Sequence, residues 1–102
     1  MRTFEELCAA QAKGAELLDS ENPNWAKDFN LDSFLFEDAD YCVLGQVYGY
    51  YHTGLEILDL DVQSAPDYGF NGRHTDDYGD FFWEMETLTL LWREEIKARQ
   101  NF

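Results

Sequence analysis

Apolar residues recur at helical spacing through most of the chain, and a few polar clusters interrupt them. Phe4, Leu7, Cys8, Ala12, Ala15 and Leu18 keep to one face of a first helix. Thr3 followed by Glu6 has capping-box spacing and opens that helix, which ends near Asp19–Ser20. Gly14, inside it, costs about 1 kcal/mol relative to Ala, so its presence marks a close approach by a neighbouring element. Asn22–Pro23 reads as a second helix start, with Asn as N-cap and Pro in the first position. Trp25 and Phe29, four apart, then share a face of a short helix. Asn30 to Phe36 fits either one more helical turn or a short extended piece.

Asp38 or Asp40 caps the next element, in which Leu44, Val47, Tyr48, Tyr51, Leu55 and Leu58 form one apolar helix face. The pattern predicts a central helix over Tyr41–Leu58, with Gly45 and Gly49 letting another helix or an aromatic ring pack close. Leu55 to Val62 also carries branched residues in partial alternation, which supports a strand or hairpin as the alternative. Ser64–Ala65–Pro66 opens a single short helix that Gly69 and Phe70 close, and Asn71–His74 is a polar turn with the composition of a mobile loop. Thr75 or Asp77 starts the last helix. Its stripe is Phe81, Met85, Leu88, Trp92 and Ile96, widened by Phe82 and Thr89. Asp76, Asp77 and Asp80 near its start and Arg93, Lys97 and Arg99 near its end both suit the helix dipole. The expected fold is mainly α, a small helical bundle with short connecting helices around Pro23 and Pro66. The alternative is α+β with a hairpin in 42–62.

Composition adds that the 102 residues form one domain able to build a core, since 45% are apolar and 17% aromatic. No run of about eighteen apolar residues is present to cross a membrane, and the first six residues lack the apolar segment of a signal peptide. A cytoplasmic location follows as an expectation. Cys8 and Cys42 are far apart on apolar faces and read as buried free thiols.

Charge changes the picture most. The formal net charge is -14, and Asp28 to Gly72 contains no Lys or Arg. Such a chain repels nucleic acid and anionic membranes and attracts basic proteins. Catalytic chemistry has little to stand on. The two histidines, His52 and His74, are isolated, and no nucleophile elbow, phosphate loop or Cys-x-x-Cys occurs. His74 with Asp76, Asp77 and Asp80 lacks the calcium-loop pattern, so no metal, cofactor or catalytic residue is expected. Tyr41, Tyr50, Tyr68 and Tyr78 fall off the apolar stripes beside acids. Acids interleaved with tyrosines would suit a groove that normally holds nucleic acid, where cations meet phosphate and aromatics meet bases.

Several segments together resemble a family of small, mostly uncharacterised proteins of actinobacteria and their phages. They are Gly14–Asp19, Pro23–Trp25, Cys42–Gly49 with Tyr51 and Gly54, Tyr68–Phe70 and Trp92–Ile96, in the same order. The resemblance implies an intracellular and phage-encoded origin and carries over no activity. It does not reach Asp76–Asp80. The expected function is that of a small acidic protein-binding module, an inhibitor or DNA mimic acting on a basic nucleic-acid-binding or defence protein. Its expected contact residues are Asp32, Glu37, Asp38, Asp40, Asp59, Asp61, Asp67, Asp76, Asp77, Asp80, Tyr50, Tyr68 and Tyr78. The alternative is a structural or assembly protein, a homodimer sealed through the Gly45/Gly49 face or the last helix, with the charge serving solubility only.

Overall fold

Two long helices, α1 (Phe4–Glu21) and α4 (Tyr78–Gln100), carry the fold in a computed structural model that describes residues 1–101. Between them lie two short helices, α2 (Val43–Tyr48) and α3 (Tyr51–Ile57), and two 3-10 turns, Leu31–Ser33 and Ala65–Tyr68. No strand occurs among the described residues, so the protein is mainly α and the hairpin in 42–62 is not formed.

The helix starts follow the local chemistry. Thr3 and Glu6 close a reciprocal capping box on α1, and Asp77 Oδ1 accepts from the amides of Gly79 and Asp80 at the start of α4. Gly69 ends the Ala65–Tyr68 turn in the left-handed region at φ 68°, and the following Phe70 is buried.

The middle of the chain departs from its pattern. The single helix expected over Tyr41–Leu58 is two, because Gly49 takes φ 93° and Tyr50 is extended. The chain reverses there and α3 folds back on α2. Gly54 makes this possible: a Cβ on it would meet Leu44 Cβ at 2.9 Å and Tyr48 Cδ2 at 3.1 Å. Gly45 is likewise a close-approach glycine, against the backbone of Ala39 and Asp40, whereas nothing lies near Gly49 and its role is purely conformational. The apolar face survives the break, since Leu44, Leu55 and Leu58 are buried and Val47, Tyr48 and Tyr51 pack against the core. Cys42, rather than Asp38 or Asp40, caps α2, its Sγ accepting from the Gly45 amide at 3.3 Å. Asp38 instead caps the preceding turn through the amides of Asp40 and Tyr41.

Asn22–Pro23 does not start a helix. Asn22 is the C-cap of α1, and the chain onward to Phe29 runs through turns of the i to i−3 type. Trp25 and Phe29 still share an inward face, with their rings edge to face at 6.4 Å. Asn30–Phe36 combines both expected forms: Asn30 caps the 3-10 turn and Phe34 leaves it extended. Side chains of other elements satisfy this irregular segment. Gln100 Nε2 donates to the carbonyls of Ala26 and Phe29, Arg93 to those of Leu31 and Phe34, and Gln46 bonds both the amide and the carbonyl of Asn30.

The core closes around Trp92, which has no solvent exposure. Phe70 stacks on it at 5.6 Å, Trp25 meets it edge on at 5.9 Å, and its Nε1 donates to Gly69 O at 2.6 Å. α1 reaches this ring through Gly14, where a Cβ would run into the Tyr68 carbonyl and come within 3.1 Å of Trp92 Cζ2. The buried face of α1 is therefore Leu7, Ala10, Gln11, Gly14, Ala15 and Leu18, while Phe4 and Ala12, expected on it, face solvent. Phe82, expected to widen the α4 stripe, is also exposed.

In an ordinary helix interior Gly→Ala would gain about 1 kcal/mol. At Gly14 the sign reverses, because a backbone carbonyl and a buried indole occupy the space. Gly14→Ala is expected to destabilise the fold by roughly 1–3 kcal/mol, read as a lower urea midpoint at unchanged m-value.

Candidate functional site

The strongest polar feature is internal. Arg2 and Glu84 are both buried, and the guanidinium holds Glu84 Oε1 through Nε at 3.1 Å and Nη2 at 2.7 Å. Arg2 Nη1 also donates to Pro66 O at 2.9 Å, and the Arg73 amide donates to the same Glu84 oxygen at 2.8 Å. One pair thus joins the N-terminal segment, the Ala65–Tyr68 turn, the 71–74 loop and α4. Burial works to raise the Glu84 carboxyl, but the Arg2 and Arg73 hydrogen bonds outweigh it and hold the group below its ordinary value. The sequence pattern assigned no role to Arg2 or Glu84. One signal was present: Glu84 lies three residues after Phe81 and four before Leu88, so it shares their arc of the helix.

Other cations are also held by the fold. Arg99 grips Asp19 through both terminal nitrogens at 2.6 and 2.9 Å, bonds Glu95 at 3.0 Å and lies over Trp25. Arg93 lies over Phe34 while bonding the Leu31 and Phe34 carbonyls. Of the seven Lys and Arg, these three arginines are committed to internal contacts, so the outer surface is poorer in accessible cations than composition implies.

On the outside, three adjoining depressions form a groove past the start of α4. A pocket of about 260 Å³ is walled by Phe36, Phe70, Phe81 and Met85, with Glu37 and Asp38 on its lining. Through Asn71 and Phe81 it adjoins a depression of about 600 Å³ that includes Asp67, Arg73 and His74. Through Arg73 and His74 this in turn adjoins a third depression, where Asp80 and Glu84 are accompanied by the Met1 amine and Arg2 that pair with them. Glu37 and Asp38, Asp67, and Asp80 come from three separated stretches of the chain and line this one groove. The polar turn Asn71–His74 forms its floor and edge. Gly72 is buried there, where a Cβ would meet Met85 Sδ and Phe81 Cε1 at 3.2 Å.

The remaining expected contact residues are more dispersed. Asp32 lines a depression with Lys27 and Gln100 at the far end of α4, some twenty helical residues and about 30 Å from Asp80. Asp40, Asp59 and Asp76 are exposed, and so are Tyr50 and Tyr78. Asp61 is exposed but engaged, accepting from the Ser64 amide at 2.8 Å, which holds its carboxyl below the ordinary value. Asp77 is occupied as the α4 cap, and Asp80 lies 3.5 Å from the Met1 amine. Tyr68 is half-buried under the Lys13 ammonium.

The groups expected to be chemically idle have definite places. Cys8 and Cys42 are free, Cys8 half-buried and Cys42 buried. Burial pushes the Cys42 thiol up, away from the reactive thiolate. His52 is exposed on α3 beside Tyr50 and Tyr51, and the break at Gly49 places it on a different helix from Cys42. Among the described residues, no three His, Cys, Asp or Glu gather where they could hold a metal ion, and no helix is long and apolar enough to cross a membrane. No protein-family model, curated protein or solved structure matches the chain.

Leaving Arg2 buried without its partner carries a large cost, so Glu84→Gln is expected to lower stability by about 3 kcal/mol in urea unfolding. Because the folded Glu84 titrates below its ordinary value near 4.5, its contribution is complete above that pH and vanishes as pH falls through the folded value. The wild type is therefore expected to lose stability below about pH 4.5, and Glu84→Gln to lose less over the same window.

Proposed function

We propose that this chain is a small acidic protein-binding module that acts on a basic protein. In its most specific form it is a phage-encoded inhibitor, presenting an acidic surface that imitates nucleic acid to a nucleic-acid-binding or defence protein of the host cell. One observation carries the reading: acids from three separated stretches line adjoining depressions, and the one walled by aromatic rings carries Glu37 and Asp38 with no Lys or Arg on its lining. Electrostatic complementarity of this kind acts chiefly on association rate and partner choice. The aromatic walls beside Glu37 and Asp38 supply apolar area that a purely solubilising charge would not need. The role is one of binding rather than catalysis.

A second reading, a self-associating structural protein, has its own support. The outward face of α4 exposes Tyr78, Phe82, Trp83 and Leu90, with Tyr78 stacked on Phe82 at 6.4 Å. The Gly45/Gly49 face no longer serves this reading, because Gly45 is buried inside the protein against Ala39 and Asp40.

Immobilised protein exposed to actinobacterial lysate is expected to retain a basic protein at low salt. The association rate should fall about tenfold or more in the Glu37→Gln/Asp67→Asn variant and on raising salt. Recovery of no basic protein at low salt would sink the reading. Sedimentation at micromolar concentration tests the second reading: a dimer that Phe82→Ser with Leu90→Ser dissolves would establish the α4 face as its seal.

A further inference from the structure

We infer that the pocket between the 36–39 turn, Phe70 and the first turns of α4 is a receptor for one arginine side chain of a basic partner; this rests on the acidic-module reading. Its volume, about 260 Å³, lies below the roughly 300 Å³ at which pockets for small molecules and cofactors begin, and suits a single long side chain. Phe36, Phe70, Phe81 and Met85 give it apolar and aromatic walls that accept an aliphatic stem. Glu37 and Asp38 supply negative charge on the same lining, and no Lys or Arg of this chain is among the lining residues. A neutral apolar guest would further desolvate the half-buried Asp38 carboxylate without giving it a partner, which is costly. A guest with an apolar stem and a cationic head satisfies walls and rim together.

The acceptor is fixed before any guest arrives. Asp38 Oδ1 is tied to the amides of Asp40 at 2.8 Å and Tyr41 at 3.1 Å, and among the described residues Oδ2 makes no hydrogen bond. The carboxylate is therefore held in one orientation with one oxygen free. Guanidinium is favoured over ammonium here, because its planar face stacks on aromatic rings and its fork meets a carboxylate along two N–H bonds. A second copy of this chain is a poor donor, since it brings a net charge of -14 and three of its four arginines, Arg2, Arg93 and Arg99, are already engaged, which leaves Arg73 alone exposed.

Methyl-labelled Met85 reports on the pocket wall, and the exposed Ile57, which lines none of the three depressions, serves as the control. At about 0.15 M salt, hepta-arginine is expected to shift the Met85 methyl resonance well beyond that of Ile57. Hepta-lysine should bind at least about fivefold more weakly. The Glu37→Gln/Asp38→Asn variant, in which Asn keeps an oxygen for the turn, should weaken hepta-arginine about tenfold and remove the Met85 shift while its circular dichroism stays unchanged. Equal binding of both peptides with Met85 unmoved would overturn the pocket and leave the acidic-module reading standing. Binding of neither peptide even at low salt would overturn that reading itself.

Discussion

Trp92 and the two glycines around it set the geometry on which the other elements depend. The indole is fully enclosed, hydrogen-bonded to Gly69 O, stacked on Phe70 and met edge on by Trp25. α1 crosses it at Gly14, and the turn after Tyr68 lies against α1 at Gly69, where a Cβ would come within 2.8 Å of the Gln11 backbone. Both contacts bring backbone to backbone or backbone to ring, so neither can be relaxed by a rotamer change. The position of the Ala65–Tyr68 turn follows from them. With it comes Pro66 O, which Arg2 needs as a partner, and the start of the 71–74 loop that edges the groove.

The buried Arg2–Glu84 pair extends this constraint to the groove. A buried ion pair is seldom a large net gain in stability, because desolvating both charges offsets much of their attraction. Its value lies in what it fixes: the acid end of the pair bonds the Arg73 amide, so the loop between Phe70 and α4 is tied to the helix it leads into. The same organisation shapes the electrostatics. Arginines that would have diluted the acidic surface are drawn into internal contacts with carbonyls, rings and carboxylates, leaving the outside dominated by Asp and Glu.

Particular residues show where the chain's pattern was legible and where it was not. The capping box at Thr3, the Asp77 cap, the Gly69 stop and the close approach at Gly14 were all readable, because each depends on residue type at short spacing. The central break was not. The apolar period continues through Gly49, and a glycine in a helical pattern does not declare whether it will take a positive φ. Phe4, Ala12 and Phe82 fitted helical stripes yet face solvent, since a stripe gives an arc but the neighbour decides how much of it is covered.

By itself the sequence determined a mainly helical chain, the starts of its two long helices and its strong negative charge. These follow from local spacing and composition, which need no knowledge of distant neighbours. Only the tertiary structure decided which acids share a surface. Glu37, Asp67 and Asp80 line adjoining depressions and Asp32 lies at the other end of α4, because the chain reverses at Gly49 and the turn at Pro66 is pinned against α1. It also decided that Arg2 and Glu84, 82 residues apart, would bury one another, a pairing that charge counting treats as two surface residues.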